Sequence, residues 1–146
     1  MKGYLLDTNL LIALLWPSHE RHDLAVKWFT HHRARGWSTC PFTQAGFVRI
    51  VANPAFSRDA VQPREATQIL SANTSAADHT FWPDELPFAE GVAFAGVRLL
   101  GHQQTTDAYL LGLAIHHGGM LATLDQRIAA LTEARSAERK ALAIVA

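Results

Sequence analysis

Short apolar runs alternate along the chain with longer segments in which apolar residues recur at helical spacing. The short runs predict strands and the periodic segments predict helices. The predicted strands cover residues 3–6, 37–40, 79–82, 120–124 and 141–145. The predicted helices cover residues 10–16, 19–35, 43–53, 64–71, 88–100 and 127–131. One further helix is predicted to begin at Thr105 or Thr106, as a capping residue, and to end at Gly118 and Gly119.

This alternation of strands and helices predicts an α/β domain with a mostly parallel central sheet. The chain has 146 residues, and we expect residues 1–146 to form a single domain. Its composition, 49% hydrophobic and 18% charged, argues against long disordered segments. The formal net charge is zero, so a nucleic-acid partner would have to be bound by a local basic patch.

The amino-terminal segment and the single cysteine bear on the cellular compartment. Cys40 cannot form an internal disulfide and offers no thiolate metal site by itself. Lys2 precedes an apolar run that imitates a signal peptide, but Asp7 and Asn9 interrupt the run and no cleavage site follows Trp16. The run is also too short to span a bilayer. We therefore expect a soluble cytoplasmic protein without a membrane partner.

The helix and strand between residues 105 and 125 carry an acid at each end. Asp107 falls in the first helical turn, in register with the apolar Leu111 and Ala114, and Asp125 follows the strand. A carboxylate on a buried face needs a partner or a metal, because burial of an unpaired charge is costly. The alternative is that Asp107 only favours the helix dipole and Asp125 only caps a following helix.

A third acid, Asp7, ends the first predicted strand, although it too could be a helix cap. Ligands of parallel α/β sheets bind at the carboxyl edge, where we expect Asp7, Asp107 and Asp125 to meet. Three neighbouring carboxylates repel one another unless a cation compensates, and hard oxygen ligands suit Mg²⁺ or Mn²⁺. Such a site performs metal-assisted phosphoryl chemistry. Neighbouring polar side chains that could orient water or bind a phosphate oxygen are those of Asn9, Thr106 and Thr123.

Four short motifs resemble, in order, those of PIN-domain ribonucleases, and most closely those of VapC toxins from bacterial toxin–antitoxin modules. They are LLDTN at residues 5–9, TQAGFVR at 43–49, TDAYL at 106–110 and ATLD at 122–125. The resemblance implies a three-layer α/β/α domain and a Mg²⁺- or Mn²⁺-dependent endoribonuclease that cuts tRNA or rRNA. It also implies frequent homodimers and inhibition by a small VapB-like antitoxin.

By position in these motifs, Asp7, Asp107 and Asp125 match the acidic metal-site residues of the family. Asn9 and Thr106 match its polar neighbours, and Arg49 is a further candidate for orienting the substrate. The family usually has Glu where this chain has Gln44. A carboxamide oxygen can coordinate a cation but carries no charge, so this departure bears on metal affinity and metal number rather than on the fold. We retain Gln44 as a candidate catalytic residue.

Two other functions fit parts of the pattern. A catalytically weak PIN-like module that binds RNA or protein is compatible with Gln44, and weak Mn²⁺ binding would distinguish it from a nuclease. An aspartyl phosphotransferase would also place Asp7 at the first strand end. That class requires a second acid two residues later, where this chain has Asn9, and a late lysine. The only late lysine, Lys140, lies in a polar segment.

Overall fold

The protein contains a central parallel sheet with helices packed against both of its faces. The computed structural model describes residues 2–95 and 104–146. Neighbouring strands pair in the order β3–β2–β1–β4–β5, and every pair is parallel. The strands are β1 (Tyr4–Leu6), β2 (Trp37–Thr39), β3 (His79–Phe81), β4 (Met120–Thr123) and β5 (Leu142–Ile144).

Most of the helices lie close to their predicted positions, but the short helix Ala137–Lys140 was not predicted, and the predicted helix 127–131 is a 3₁₀ turn. The helices are α1 (Thr8–Leu15), α2 (His22–His32), α3 (Pro41–Val51), α4 (Pro63–Thr74), α5 (Phe88–Ala95), α6 (Thr105–His116) and α7 (Ala137–Lys140). Within residues 2–95 and 104–146, 3₁₀ turns at Arg33–Arg35 and Gln126–Leu131 accompany them. The predicted end of the fifth helix, at residue 100, lies outside the described residues.

Side chains that alternate along β1 divide the core into two apolar layers. Tyr4 and Leu6 pack on one face with residues of α1 to α4, among them the fully buried Phe47. Leu5 points to the other face and packs with Leu111 of α6. Because successive side chains of a strand point to opposite faces, a three-residue strand is enough to serve both layers. The predicted three-layer α/β/α architecture is confirmed.

Helix α3 begins two residues earlier than predicted, at Pro41 instead of Thr43. Proline suits the first helical position, since that position has no intrahelical use for an N–H group. The Thr43 hydroxyl accepts a hydrogen bond from the Cys40 backbone N–H, at 3.0 Å. Thr43 is therefore the third residue of the helix and closes its first turn.

The predicted threonine cap of α6 is wrong. Gln104 precedes the helix with near-helical backbone angles, and its side chain makes no capping bond. A cap residue normally has an extended backbone, so a chain that enters through a turn leaves Thr105 and Thr106 inside the helix. The predicted end is confirmed: Gly118 follows the last turn with a φ of +71°, a conformation that glycine adopts at little cost.

Helix α2 begins at His22 rather than at residue 19. The preceding residues form separate turns, in which the His19 N–H donates to the Trp16 carbonyl and the His22 N–H donates to the His19 carbonyl.

Among the residues that the structure describes, no helix combines the length and the apolar character needed to cross a bilayer.

The strand order places β1 and β4 side by side at the centre of the sheet. From β1 the sheet continues through β2 and β3 on one side, and through β4 and β5 on the other. This reversal is a topological switch point, where the loops after two neighbouring strands separate and leave a crevice. The residues that follow β1 and β4 are therefore positioned to line a cleft.

Candidate active site

A cleft with a volume of about 240 Å³ lies at this switch point. Its walls come from the ends of β1 and β4 and from α1, α3 and α6. Most of the site candidates indicated by the sequence belong to these walls. The lining residues are Asp7, Thr8, Asn9, Arg49, Ile50, Thr106, Asp107, Leu110, Asp125 and Arg127.

Asp7 lies at the floor of the cleft, where it is only 4% exposed. It is the N-cap of α1, and its Oδ1 accepts a hydrogen bond from the Leu10 N–H at 2.8 Å. Its Oδ2 accepts a hydrogen bond from the Thr123 hydroxyl. Burial raises the pKa of Asp7 from 3.8 to about 7; the two hydrogen bonds oppose this rise, and the charges of Asp107 and Asp125 add to it.

Thr123 connects the two central strands without lining the cleft itself. Its hydroxyl donates to Asp7, and its Oγ1 accepts from the Asp125 backbone N–H at 3.0 Å. The side chain is fully buried at the end of β4. Thr123 thus fixes the orientation of the Asp7 carboxylate and the path of the chain that leads to Asp125.

Asp107, in the first turn of α6, is half-buried in the wall of the cleft. Burial raises the pKa of its carboxyl group, and the charge of Asp125 acts in the same direction. The positive charge of Arg127 partly offsets both effects. Asp7 and Asp107 are therefore carboxylates whose charged forms are disfavoured until a cation is nearby.

Asp125 differs from the other two acids because Arg127 pairs with it. Oδ1 of Asp125 accepts from the backbone N–H of Arg127 at 2.9 Å and from its Nε at 3.0 Å. Oδ2 accepts from Nη2 at 3.0 Å. Hydrogen bonding by Arg127 lowers the pKa of Asp125. Asp125 also caps the 3₁₀ turn that follows it, so the capping alternative holds for this residue as well.

Sequence reasoning missed Arg127. The available signal was its place two residues after Asp125, at the start of the predicted helix 127–131. At that spacing a side chain can fold back on a turn and reach the capping acid. In the structure this pairing stands at the first turn of a 3₁₀ segment, where the prediction had an α-helix.

Gln44 does not line the cleft that contains the three aspartates. Its Nε2 donates to Thr39 Oγ1 at 3.0 Å, and Thr39 Oγ1 is 2.8 Å from His79 Nε2. The side chain of Gln44 instead lines a neighbouring groove between α3 and α4. Arg49 lines both this groove and the cleft, and so joins the two surfaces.

Comparison with known proteins identifies the fold that carries this cleft. A family model described as "PIN domain" matches residues 4–134. The chain belongs to the PIN-domain family. Among its PIN-domain relatives, Ribonuclease VapC39 of Mycobacterium tuberculosis is 44% identical over 133 residues, which are 91% of this chain and 94% of that protein. Ribonuclease VapC29 of the same species is 46% identical over 127 residues, covering 87% of this chain and 89% of that protein.

A solved structure with the same PIN fold is that of VapBC2 from Rickettsia felis bound to a DNA fragment from their promoter. It matches with a TM-score of 0.58 at 12% identity, covering 88% of this chain and 92% of that chain. At this identity the likeness shows the fold alone. The resemblance of the four motifs to PIN-domain VapC ribonucleases is confirmed by the sequence relatives described above, which span nearly the whole chain.

The donor set of this PIN-domain cleft suits a hard divalent cation. Its carboxylate, amide and hydroxyl oxygens are the ligands that Mg²⁺ and Mn²⁺ prefer. In the part of the chain that the structure describes, no three His, Cys, Asp or Glu side chains are gathered closely enough to enclose an ion. Mg²⁺ is usually bound through one or two carboxylates and keeps several waters. Of the three carboxylates that line the cleft, Asp7 and Asp107 are the two without a hydrogen bond to Arg127, and they fit that requirement.

Proposed function

We propose that the protein is a VapC-type endoribonuclease toxin that hydrolyses RNA phosphodiester bonds with the help of Mg²⁺ or Mn²⁺. The observation that carries the proposal is the meeting of Asp7, Asp107 and Asp125 in one cleft at the switch point of a PIN-domain sheet. It is further supported by curated relatives named ribonucleases at 44% and 46% identity.

Asp7 and Asp107 would hold the ion, and Asp125 would accept a hydrogen bond from one of its waters. When bound, the ion lowers the pKa of a coordinated water and stabilises negative charge on the phosphate. The raised pKa values of Asp7 and Asp107 support this assignment, because a cation would stabilise the charged forms that burial disfavours. Thr123 keeps the Asp7 carboxylate turned between β1 and β4.

The remaining polar residues of the cleft would orient the RNA. Asn9 and Thr106 are exposed beside the acids, and their side chains can bind a phosphate oxygen or the attacking water. Arg49 would contact a phosphate at the side of the cleft that opens toward the α3–α4 groove. Gln44 remains a candidate that would act only if its amide left Thr39.

We further propose that a VapB-like antitoxin neutralises the protein, that the protein forms a homodimer, and that it cuts tRNA or rRNA in the cytoplasm. Two similar solved structures support the antitoxin. One is the VapBC2 structure described above, and the other is FitAB bound to a DNA fragment, which matches with a TM-score of 0.56 at 20% identity. Sequencing the ends of cellular RNA after brief induction, against an Asp7→Asn control, would identify the substrate.

The composition of the cleft argues against the aspartyl phosphotransferase alternative. That class needs a second acid two residues after the nucleophile and a lysine in the site, whereas Asn9 occupies the first of these positions and no lysine is among the described residues that line the cleft. The catalytically weak binding module remains the competing function, because Gln44 replaces the usual glutamate.

RNA cleavage with added Mn²⁺ separates the nuclease from the binding module. We expect the wild-type protein to cleave RNA with Mn²⁺ and not with EDTA. Asp7→Asn and Asp107→Asn should remove cleavage while the proteins stay folded by circular dichroism. Asp59→Asn is the matched control, since Asp59 is an exposed carboxylate that does not line the cleft. Full activity in EDTA, or normal cleavage by Asp107→Asn, would contradict the proposal.

A further inference from the structure

The cleft that would bind RNA is itself acidic, which raises the question of how it tolerates a polyanion. Three carboxylates line it, and each repels a phosphate when ionised. Two guanidinium groups, those of Arg49 and Arg127, lie in the same lining. Arg49 stands at the side toward the α3–α4 groove, whereas Arg127 is bonded to an acid of the cleft itself.

The bonds of Arg127 leave half of its guanidinium group available. Its Nε and Nη2 face Asp125 and form a two-point contact with both carboxylate oxygens. A guanidinium group carries a second edge, formed by Nη1 and the other N–H of Nη2, which can make a second two-point contact. No hydrogen-bond acceptor for Nη1 is found among the residues of the described ranges, and the Arg127 side chain is 83% exposed. The free edge therefore reaches solvent at the cleft.

Asp125 gives this side chain a defined position. A long exposed arginine normally loses rotamer entropy when it binds a ligand. The two-point contact with Asp125, together with the bond from the Arg127 backbone N–H to the same carboxylate, already restricts the side chain. The charge of Arg127 also acts on Asp107, so the guanidinium group lies near two acids of the cleft while its free edge remains in solvent.

We propose that Arg127 binds a phosphate of the RNA through the free edge of its guanidinium group, and that Asp125 is the positioning residue that orients it. This inference rests on the proposed ribonuclease function, and it gives Asp125 a role beyond its hydrogen bond to a water of the ion. The geometry of a planar fork suits phosphate as well as carboxylate, and lysine lacks that fork. Because the contact is to the backbone of the RNA, it carries no sequence preference.

RNA binding in EDTA tests the proposal without cleavage. A short fluorescein-labelled single-stranded RNA is titrated with protein at several NaCl concentrations, and anisotropy gives the affinity and its dependence on salt. The variants are Arg127→Gln, Arg127→Lys and, as the control that removes the same charge outside the cleft, Arg135→Gln. Urea denaturation of each variant verifies that the fold is intact.

We expect Arg127→Gln to weaken binding about tenfold and to lower the slope of log affinity against log salt by about one, because one phosphate contact is lost. The loss should be equal for two RNAs of different sequence. Arg127→Lys should keep nearly the wild-type slope with an intermediate affinity, and Arg135→Gln should match the wild type. A wild-type slope for Arg127→Gln, or a loss confined to one RNA sequence, would overturn the proposal.

Parallel cleavage assays with Mn²⁺ distinguish this proposal from the ribonuclease function. One outcome is that Arg127→Gln lowers the salt slope as expected while the wild-type protein binds RNA but never cleaves it. That outcome would overturn the nuclease and leave the phosphate contact standing. A wild-type protein that cleaves RNA, with no change of slope in Arg127→Gln, would overturn the phosphate contact alone. A wild-type protein that neither binds nor cleaves RNA would overturn both.

Discussion

Replacing Asp7 by asparagine should stabilise the protein above neutral pH when no divalent ion is present. Asp7 is 4% exposed, and burial raises its pKa from 3.8 to about 7. Asparagine keeps an oxygen that can accept from the Leu10 N–H, and it is itself a favoured N-cap residue. The substitution therefore removes a buried charge and preserves the start of α1.

The size of the effect follows from the shift in pKa. An acid with a raised pKa holds its proton more tightly in the folded protein, so stability is lost as the pH rises from 3.8 to about 7. One pKa unit corresponds to about 1.4 kcal/mol. Ionisation of Asp7 then lowers the free energy of unfolding by about 4 kcal/mol at pH 8, about 2 kcal/mol at pH 5 and almost nothing at pH 3. Loss of the bond that Thr123 donates to the carboxylate costs the variant about 1 kcal/mol.

Urea denaturation in EDTA at several pH values measures the difference. We expect Asp7→Asn to exceed the wild type by about 3 kcal/mol near pH 8 and by about 1 kcal/mol near pH 5. Asp59→Asn controls for the loss of one exposed carboxylate. Added Mn²⁺ should stabilise the wild type more than Asp7→Asn, because only the wild type offers this ligand charge. Parallel pH profiles for the wild type and Asp7→Asn would refute the reasoning.

Five further substitutions, at four positions, test the packing and the groove. Gly112→Ala should cost about 2–3 kcal/mol of stability in urea, because a Cβ there would lie 1.8 Å from a backbone oxygen of α5; Gly118→Ala, which has free space but a φ of +71°, should cost only about 1 kcal/mol. Phe47→Ala should cost about 3–5 kcal/mol by the same measurement, since Phe47 is fully buried. A glutamate at position 44 cannot donate to Thr39, so Gln44→Glu should lower the Mn²⁺ concentration needed for half-maximal cleavage, whereas Gln44→Ala should raise it. Superimposable Mn²⁺ titrations of the three proteins would show that residue 44 takes no part in the metal site.

The fold could be predicted from the sequence because its signals are local. The alternation of Tyr4, Leu5 and Leu6 between two apolar layers needs only a strand with hydrophobic residues on both faces. Gly118 ends α6 through a backbone angle that few other residues adopt. The start of α6 is not predictable in this way, since it depends on the near-helical backbone angles of Gln104, which the sequence does not specify.

The site could be predicted only as far as strand ends determine it. Asp7 and Asp125 follow two strands that the switch point places side by side, and this gathering needs no knowledge of side-chain direction. The partners of each acid do depend on direction. Arg127 folds back on Asp125 through a 3₁₀ turn, and Gln44 turns to Thr39 rather than to the cleft. Sequence spacing alone does not specify either contact.

The bond between Thr123 and Asp7 joins residues that are 116 positions apart in the chain. Contacts of such long range require closure of a large loop, and parallel pairing of this kind is slow to form. During synthesis, the cleft remains incomplete until Asp125 has been added and β4 has paired with β1. A growing chain that already has α1 and β2 therefore has no assembled cleft. Assembly of the cleft therefore waits for the pairing of the two central strands, late in the growth of the chain.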